Sequence, residues 1–256
     1  MTMFAADINR VSIEQVREYE IEEARNLQRA LVPGEPLRAH SVEVAHTLRP
    51  VVEVGGDFLD YFVLTDRTLG LYVGDVVGKG LPAALYAALA VGTLRGIHKT
   101  GQPPAAVLEL LNKRLRTRAM PKRYCAVQYA VFDPATRALG YANAGLPGPL
   151  HISARGCREL RAGGLPSGLF DGASYDPQTV QLDPGDAVLF ITDGLTDASN
   201  ARGEEFGMDR LIEVCARDRS GSADALLRRI FAAVDEFVDG HTQHDDMTAA
   251  ALKVAV

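Results

Sequence analysis

The chain has 256 residues, 47% of them hydrophobic and 23% charged, with 33 acidic against 27 basic groups and a net charge of −6. Such values exclude a disordered tail and a collagen-like chain, and they suit one large domain with or without a short appendage. The acidic surplus gives no general attraction to nucleic acid or anionic lipid, so neither is an expected partner. Cys125, Cys157 and Cys215 are far apart and odd in number. Their spacing yields neither a disulfide framework nor a zinc knuckle, and all three are read as reduced. The first residues lack a basic region leading into an apolar core, so no signal peptide is expected. The longest apolar stretch, 81–94, is Ala-rich and too short to span a bilayer. The cytoplasm is the expected location.

In chain order, residues 12–31 are predicted to be helical, with Ser12 as the cap, Glu14 in the first turn and Pro33 beyond the end. Ile13, Val16, Ala24, Leu27 and Leu31 form a broken apolar stripe, with Leu27 and Leu31 as the expected packing residues. This helix either packs on its own domain or acts as a coiled segment that pairs two chains or receives an upstream regulator. On that reading 1–33 is a helical extension and 34–256 the main domain. Alternation at Val42, Val44 and His46 then signals a strand. Residues 57–64 and 68–75 are predicted to pair around Asp66, which sets Asp57 opposite Asp75. One face then carries Leu59, Tyr61, Leu69, Leu71 and Val73, and each strand ends in a carboxylate at the same edge.

Pro82 opens a predicted helix to about Gly96, and Pro104 a second one ending near residue 118. Strands are expected at 124–132 and 138–143, turning at Asp133-Pro134, with short ones near Leu150 and at 157–160. Residues 180–182 and 187–192 read as a hairpin turning at 183–186. Helices at 208–216 and 223–237 precede a closing strand at 247–256. Strands thus come in hairpins rather than alternating with helices. That disfavours a doubly wound sheet or a barrel of alternating units and favours antiparallel sheets with helices packed outside.

Four acids stand at strand ends or in tight loops beside them: Asp57 in VGGDF, Asp75 in YVGDVVGKG, Asp193 in VLFITDGLTD and Asp245 in QHDDMTAAAL. A single such residue usually faces water. Four together would repel one another, and Lys79 is the sole basic residue within these motifs, beside His244. Divalent cations are the natural compensation. Oxygen-only ligands favour Mg2+ or Mn2+ over zinc, and four carboxylates neutralise two ions. Two such ions activate a water between them and clamp the oxygens of a phosphoryl group, so no side-chain nucleophile is needed. None is evident: no serine stands in a G-x-S-x-G elbow, and the cysteines fall in expected core elements.

Three lookalikes are set aside. Residues 74–80 resemble a P-loop but have three residues between the glycines instead of four, and Gly80 replaces the hydroxyl residue. Gly55-Gly56-Asp57-Phe58 lacks the second acid of the GG(D/E)EF signature. His241 and His244 lack the glutamate of HExxH and read as a polar loop before a strand.

Taken in order, the segments ARNLQRALVP, VGGDFLDYF, GDVVGKGLPAAL, YANAGLPGPL, GGLPSGLF, LFITDGLTDASNARGEEFG and HDDMTA resemble the bacterial metal-dependent phosphatases of the SpoIIE and RsbU type. These are a branch of the PPM (PP2C-like) superfamily. The resemblance runs from about Glu22 to Val256. It implies an α+β fold, a four-layer α-β-β-α sandwich of two antiparallel sheets flanked by helical pairs. It implies two Mn2+ or Mg2+ ions held by Asp57, Asp75, Asp193, Asp245 and the backbone carbonyl of Val76. Asp75 would bridge the ions, while Asp193 and Asp245 would hold one of them. Asp246 is passed over because the family's acid stands two residues before the methionine. Asp60 and Asp197 are expected near the site, orienting loops or water. Lys79 would take part of the phosphate-gripping role of an arginine that this branch lacks. Departures from the pattern are Val77, Leu59, and Leu146 in place of a histidine.

The activity so implied is hydrolysis of phosphoserine or phosphothreonine on a protein, in particular a small phosphorylated anti-sigma-factor antagonist of a partner-switching pathway. Two alternatives stand beside it: a PP2C-like module that only binds partners, and a hydrolase of small phosphate esters. Retention of four carboxylates argues against the first, because such a cluster costs stability without metal. An enclosed pocket would favour the second.

Overall fold

The computed structural model describes residues 13–39, 41–64, 67–98, 101–117, 120–161, 163–217 and 219–256. Helix α1 (Ile13–Leu31) leads to strands β1 (Leu37–Ala39) and β2 (Val42–Arg49). The hairpin β3 (Phe58–Val63) and β4 (Leu69–Val76) precedes α2 (Leu81–Ile97) and α3 (Pro104–Thr117). Six strands follow: β5 (Cys125–Asp133), β6 (Ala138–Ala144), β7 (Leu150–Ser153), β8 (Gly156–Glu159), β9 (Gln178–Gln181) and β10 (Ala187–Ile191). After them come α4 (Asp193–Thr196), α5 (Gly207–Arg217), α6 (Ala223–Val238) and β11 (Met247–Val254).

The strands make two antiparallel sheets, one ordered β1-β2-β11-β10-β7-β8 and the other β3-β4-β5-β6-β9. Period-two patterning decides their faces. Leu59, Leu71 and Val73 of the five-stranded sheet meet Val44, Phe190 and Leu252 of the six-stranded one in a core between the sheets. The alternate residues Phe58, Tyr72 and Tyr129 point outward and are covered by Ala87 and Ala90 of α2 and Leu108 and Leu111 of α3. On the other side, Leu189, Ile191 and Ala249 pack under Leu211 of α5 and Leu227 and Ile230 of α6. Burying each such leucine or isoleucine contributes roughly 1.5–3 kcal/mol relative to leaving it exposed. The four-layer α-β-β-α sandwich is therefore the observed fold. Among the described residues no helix is long and apolar enough to cross a membrane.

Several sequence expectations need correction. Residues 180–182 and 187–192 are not a hairpin. Val180 pairs with Leu139 in the five-stranded sheet, whereas Val188 and Phe190 pair with Leu252 and Ala250 in the six-stranded one. Val180 and Val188 both enter the core between the sheets, so β9 and β10 face each other across the sandwich. The turn between them carries the chain from one sheet to the other. Asp186 fixes it, accepting from the Asp183 N–H at 3.1 Å and lying 2.9 Å from His151 Nε2. A tight turn dictates a reversal but not which partners the two strands take, and that is why the sequence misled. Strand β1 and the single turn α4 were not foreseen.

Helix α1 docks on the domain through one of its two predicted packing residues. Leu31 packs against the core under α2, but Leu27 is 68% exposed. Polar groups do the docking: Gln28 exchanges two hydrogen bonds with the backbone of Gly55, at 2.7 and 3.1 Å, and Arg95 donates to the carbonyl of Leu31 at 2.7 Å. The proposed cap Ser12, the turn residues Thr65 and Asp66, and residue 118 lie outside the described residues.

Candidate metal centre

The β3–β4 register pairs Phe58 with Gly74 and Tyr61 with Leu71. Continued by one residue, it sets Asp57 across from Asp75 on the inward face, at the edge of the sandwich. The opposite sheet supplies the other wall. Thr192 follows β10, and its N–H donates to the Thr248 carbonyl of β11 at 3.0 Å. The Thr192 hydroxyl accepts the Thr248 N–H at 3.0 Å and donates to Asp57 Oδ2 at 2.8 Å. One hydroxyl thus joins both sheets beneath the carboxylates. Asp193 opens α4 from this point, and Asp245 stands two residues before β11, so all four predicted acids stand at one edge of the sandwich.

Asp246 holds this edge together. It is buried, its Oδ1 accepting from the Val51 N–H and its Oδ2 from the Gly56 N–H, both at 2.7 Å. Close approach dictates the residue types around it. A Cβ on Gly55 would fall 2.2 Å from Asp246 Oδ2, and one on Gly194 would fall 2.0 Å from the Asp246 carbonyl oxygen. Sequence reasoning passed over Asp246 as a ligand and missed its anchoring role, for which the two neighbouring glycine motifs were the available signal. Asp246→Ala is expected to lower stability by about 3 kcal/mol, because two backbone donors lose a charged acceptor. A urea denaturation midpoint measures this.

The electrostatics are those of crowded carboxylates. Burial first, and then the charge of Asp75, hold the Asp57 carboxyl well above the usual range. Burial, followed by Asp193 and Asp245, pushes Asp75 up to about 7. Asp193 lies at the mouth, exposed to solvent, where partial desolvation, Asp197 and Asp245 raise it too. No ion pair with Asp57, Asp75 or Asp193 exists among the described residues; Lys79, 3.1 Å from Asp245 Oδ2, is the cation of the cluster. The carbonyl of Val76 lies beside Gly56, where a Cβ would come within 2.7 Å of it. This donor set of oxygens alone, with surplus negative charge, fits hard divalent cations such as Mg2+ or Mn2+. Among the described residues no three acidic, His or Cys side chains close into a finished metal shell. The reason is visible in their partners: Asp57 is turned to Thr192, and Asp245 to Lys79 and to the N–H of Asp246 at 2.9 Å.

Other singled-out residues separate cleanly. Asp60 does not approach the centre. It sits on the outward face of β3, bonded to Arg95 Nε at 2.8 Å, and so supports the arginine that holds α1. Asp197 ends α4 near the mouth. Leu146 and Leu59 are buried in the core between the sheets, so these departures serve packing. His241 and His244 rest ring edge to ring face at 5.4 Å, without a metal-ligating cluster around them among the described residues. Cys125 is fully buried, and burial pushes its thiol up, out of the nucleophilic range.

The four-layer fold is the one shared by PP2C phosphatase domains among solved structures. The family model for stage II sporulation protein E matches residues 65–255, and the chain belongs to that family. It is similar to the phosphoserine phosphatase RsbU of Bacillus subtilis, with 26% identity covering 94% of this chain and 72% of that protein. It also resembles protein IcfG of Synechocystis, at 25% identity over 93% of this chain, although it spans only 42% of that protein's length. Among solved structures, the SiaA-PP2C domain of Pseudomonas aeruginosa superposes with a TM-score of 0.82 at 23% identity, covering 96% of this chain and 99% of that one.

Proposed function

We propose that this chain hydrolyses phosphoserine or phosphothreonine on a protein, using two Mn2+ or Mg2+ ions held by Asp57, Asp75, Asp193, Asp245 and the Val76 carbonyl. The observation that carries the reading is the juxtaposition of Asp57 and Asp75 at a buried edge, with no cation between them among the described residues. When bound, such ions supply an activated water and draw charge from the phosphoryl oxygens. The chain's own residues prepare the place. Thr192 fixes the Asp57 carboxylate by its 2.8 Å hydrogen bond, and Asp246 fixes the glycine loop that presents it. Gly194, Asp197, His244 and Asp245 border a cleft of about 530 Å³ alongside the cluster, where the segment around a phosphorylated residue would lie.

The exposure of Asp193 and half-exposure of Asp245 favour a protein substrate over a small ester held in a closed pocket. Within that class we assign a small phosphorylated anti-sigma-factor antagonist as the substrate, supported by likeness to the phosphoserine phosphatase RsbU. Residues 1–33 are proposed to form a regulatory extension, through which an upstream regulator or a second copy acts on the domain at 34–256. Phosphate release from a purified phosphoserine protein should appear with added Mn2+ and vanish with a chelator. Release that is indifferent to chelation would remove the metal centre from the reading.

A further inference from the structure

Lys79 lies in the turn between β4 and α2, between Gly78 at φ 97° and Gly80 at φ 68°. Its ammonium crosses to the loop that precedes β11 on the other sheet. There it donates to the carbonyl of His244 and stands 3.1 Å from Asp245 Oδ2. The other oxygen of Asp245 accepts the Asp246 N–H at 2.9 Å. Both oxygens are thus engaged by the chain itself, and Asp245 is the one predicted ligand that carries a counter-ion among the described residues.

An ammonium on a carboxylate oxygen occupies the position that a divalent ion needs, and the two cations repel at that separation. The lysine is also easily displaced. Its side chain and that of Asp245 are 45% and 48% exposed, and pairs so exposed change an equilibrium by about fivefold at most. We propose that Lys79 is the resident counter-ion of Asp245 in the metal-free protein, so that a divalent ion binds at Asp245 only by displacing it. The turn between β4 and α2 then sets the metal affinity at the mouth of the centre. This inference rests on the metal-centre reading above and concerns one half of it, since Asp57 and Asp75 do not touch Lys79 in any hydrogen bond or ion pair found among the described residues.

Calorimetric titration of Mn2+ into the metal-free full chain tests it with three proteins: wild type, Lys79→Met and Lys113→Met. Lys113 is an exposed residue of α3, so its variant removes the same charge at a remote place. Lys79→Met is expected to bind Mn2+ about three- to fivefold more tightly than wild type, and Lys113→Met equally. In wild type, limiting acetic anhydride followed by mass spectrometry should show Lys79 acetylated at least about threefold faster once Mn2+ is added, with Lys113 unchanged. Equal or weaker Mn2+ binding by Lys79→Met would overturn the counter-ion role while leaving the metal centre standing. No Mn2+ binding by any of the three proteins would overturn the metal centre itself.

Discussion

Asp193→Asn is expected to lower metal-dependent phosphate release by roughly 10²–10³-fold at saturating Mn2+, with the fold intact. Asp193 begins α4 at the mouth of the cluster, and its exposure means that the loss of one charge there disturbs little packing. Cys125→Ser makes the decisive comparison. Its thiol is fully buried against α2 and α3, and burial followed by the charge of Asp75 keeps it protonated. That variant should lose about 1 kcal/mol of stability and keep its rate within about threefold. The reverse pattern, a dead Cys125 variant and an active Asp193 variant, would require a covalent mechanism.

The second large effect is on the metal-free protein, and its direction follows from Asp75. Folding raises this carboxyl from the ordinary 3.8 to about 7, so the fold favours its protonated form. Stability from this source is fully present below about 3.8 and is lost as pH rises through about 7. With chelator present, the unfolding free energy should therefore fall between pH 4 and pH 7, at a slope on the order of 1 kcal/mol per pH unit, and the melting temperature should fall with it. Asp75→Asn should flatten that slope and stabilise the metal-free protein at pH 7.5 by about 2 kcal/mol, while abolishing phosphate release. Added Mn2+ should raise the wild-type melting temperature at pH 7.5 and leave the variant nearly unmoved. Melts of both proteins across this pH range, with chelator and with Mn2+, check every part. An unchanged slope in Asp75→Asn would show that the crowding of these carboxylates is not what limits stability.

Where physical constraints were local, the sequence carried them. The register of β3 on β4 follows from alternation on both strands, because a slip of one residue would send Leu59, Leu71 and Val73 out of the core. The same alternation places Asp57 and Asp75 on one face. Helices α2 and α3 begin at or beside prolines, which preset the backbone there. Non-local choices were illegible. Nothing near 183–186 reveals that β9 joins β6 while β10 joins β7 and β11. Leu27 fits an apolar stripe, yet the described chain offers it no surface, and Gln28 next to it docks the helix instead. Asp246 stands beside a predicted ligand and looks redundant until the backbone donors of Val51 and Gly56, distant in sequence, converge on it.

The place of β11 has a consequence for how this molecule comes into being. Although it is the last strand, it lies between β2 and β10, pairing Val42 with Val254 and Ala250 with Phe190. Strand β2 leaves the ribosome well before β11 and must wait for a partner about two hundred residues later before it can be saturated. Until Met247–Val254 emerges, the six-stranded sheet has a gap at its middle, and Asp245 and Asp246 have no fixed position. The carboxylate edge is therefore assembled only once the chain has been made past Met247. A chain cut before Asp245 carries three of the four acids but no site, and exposes two unsatisfied strand edges that invite aggregation.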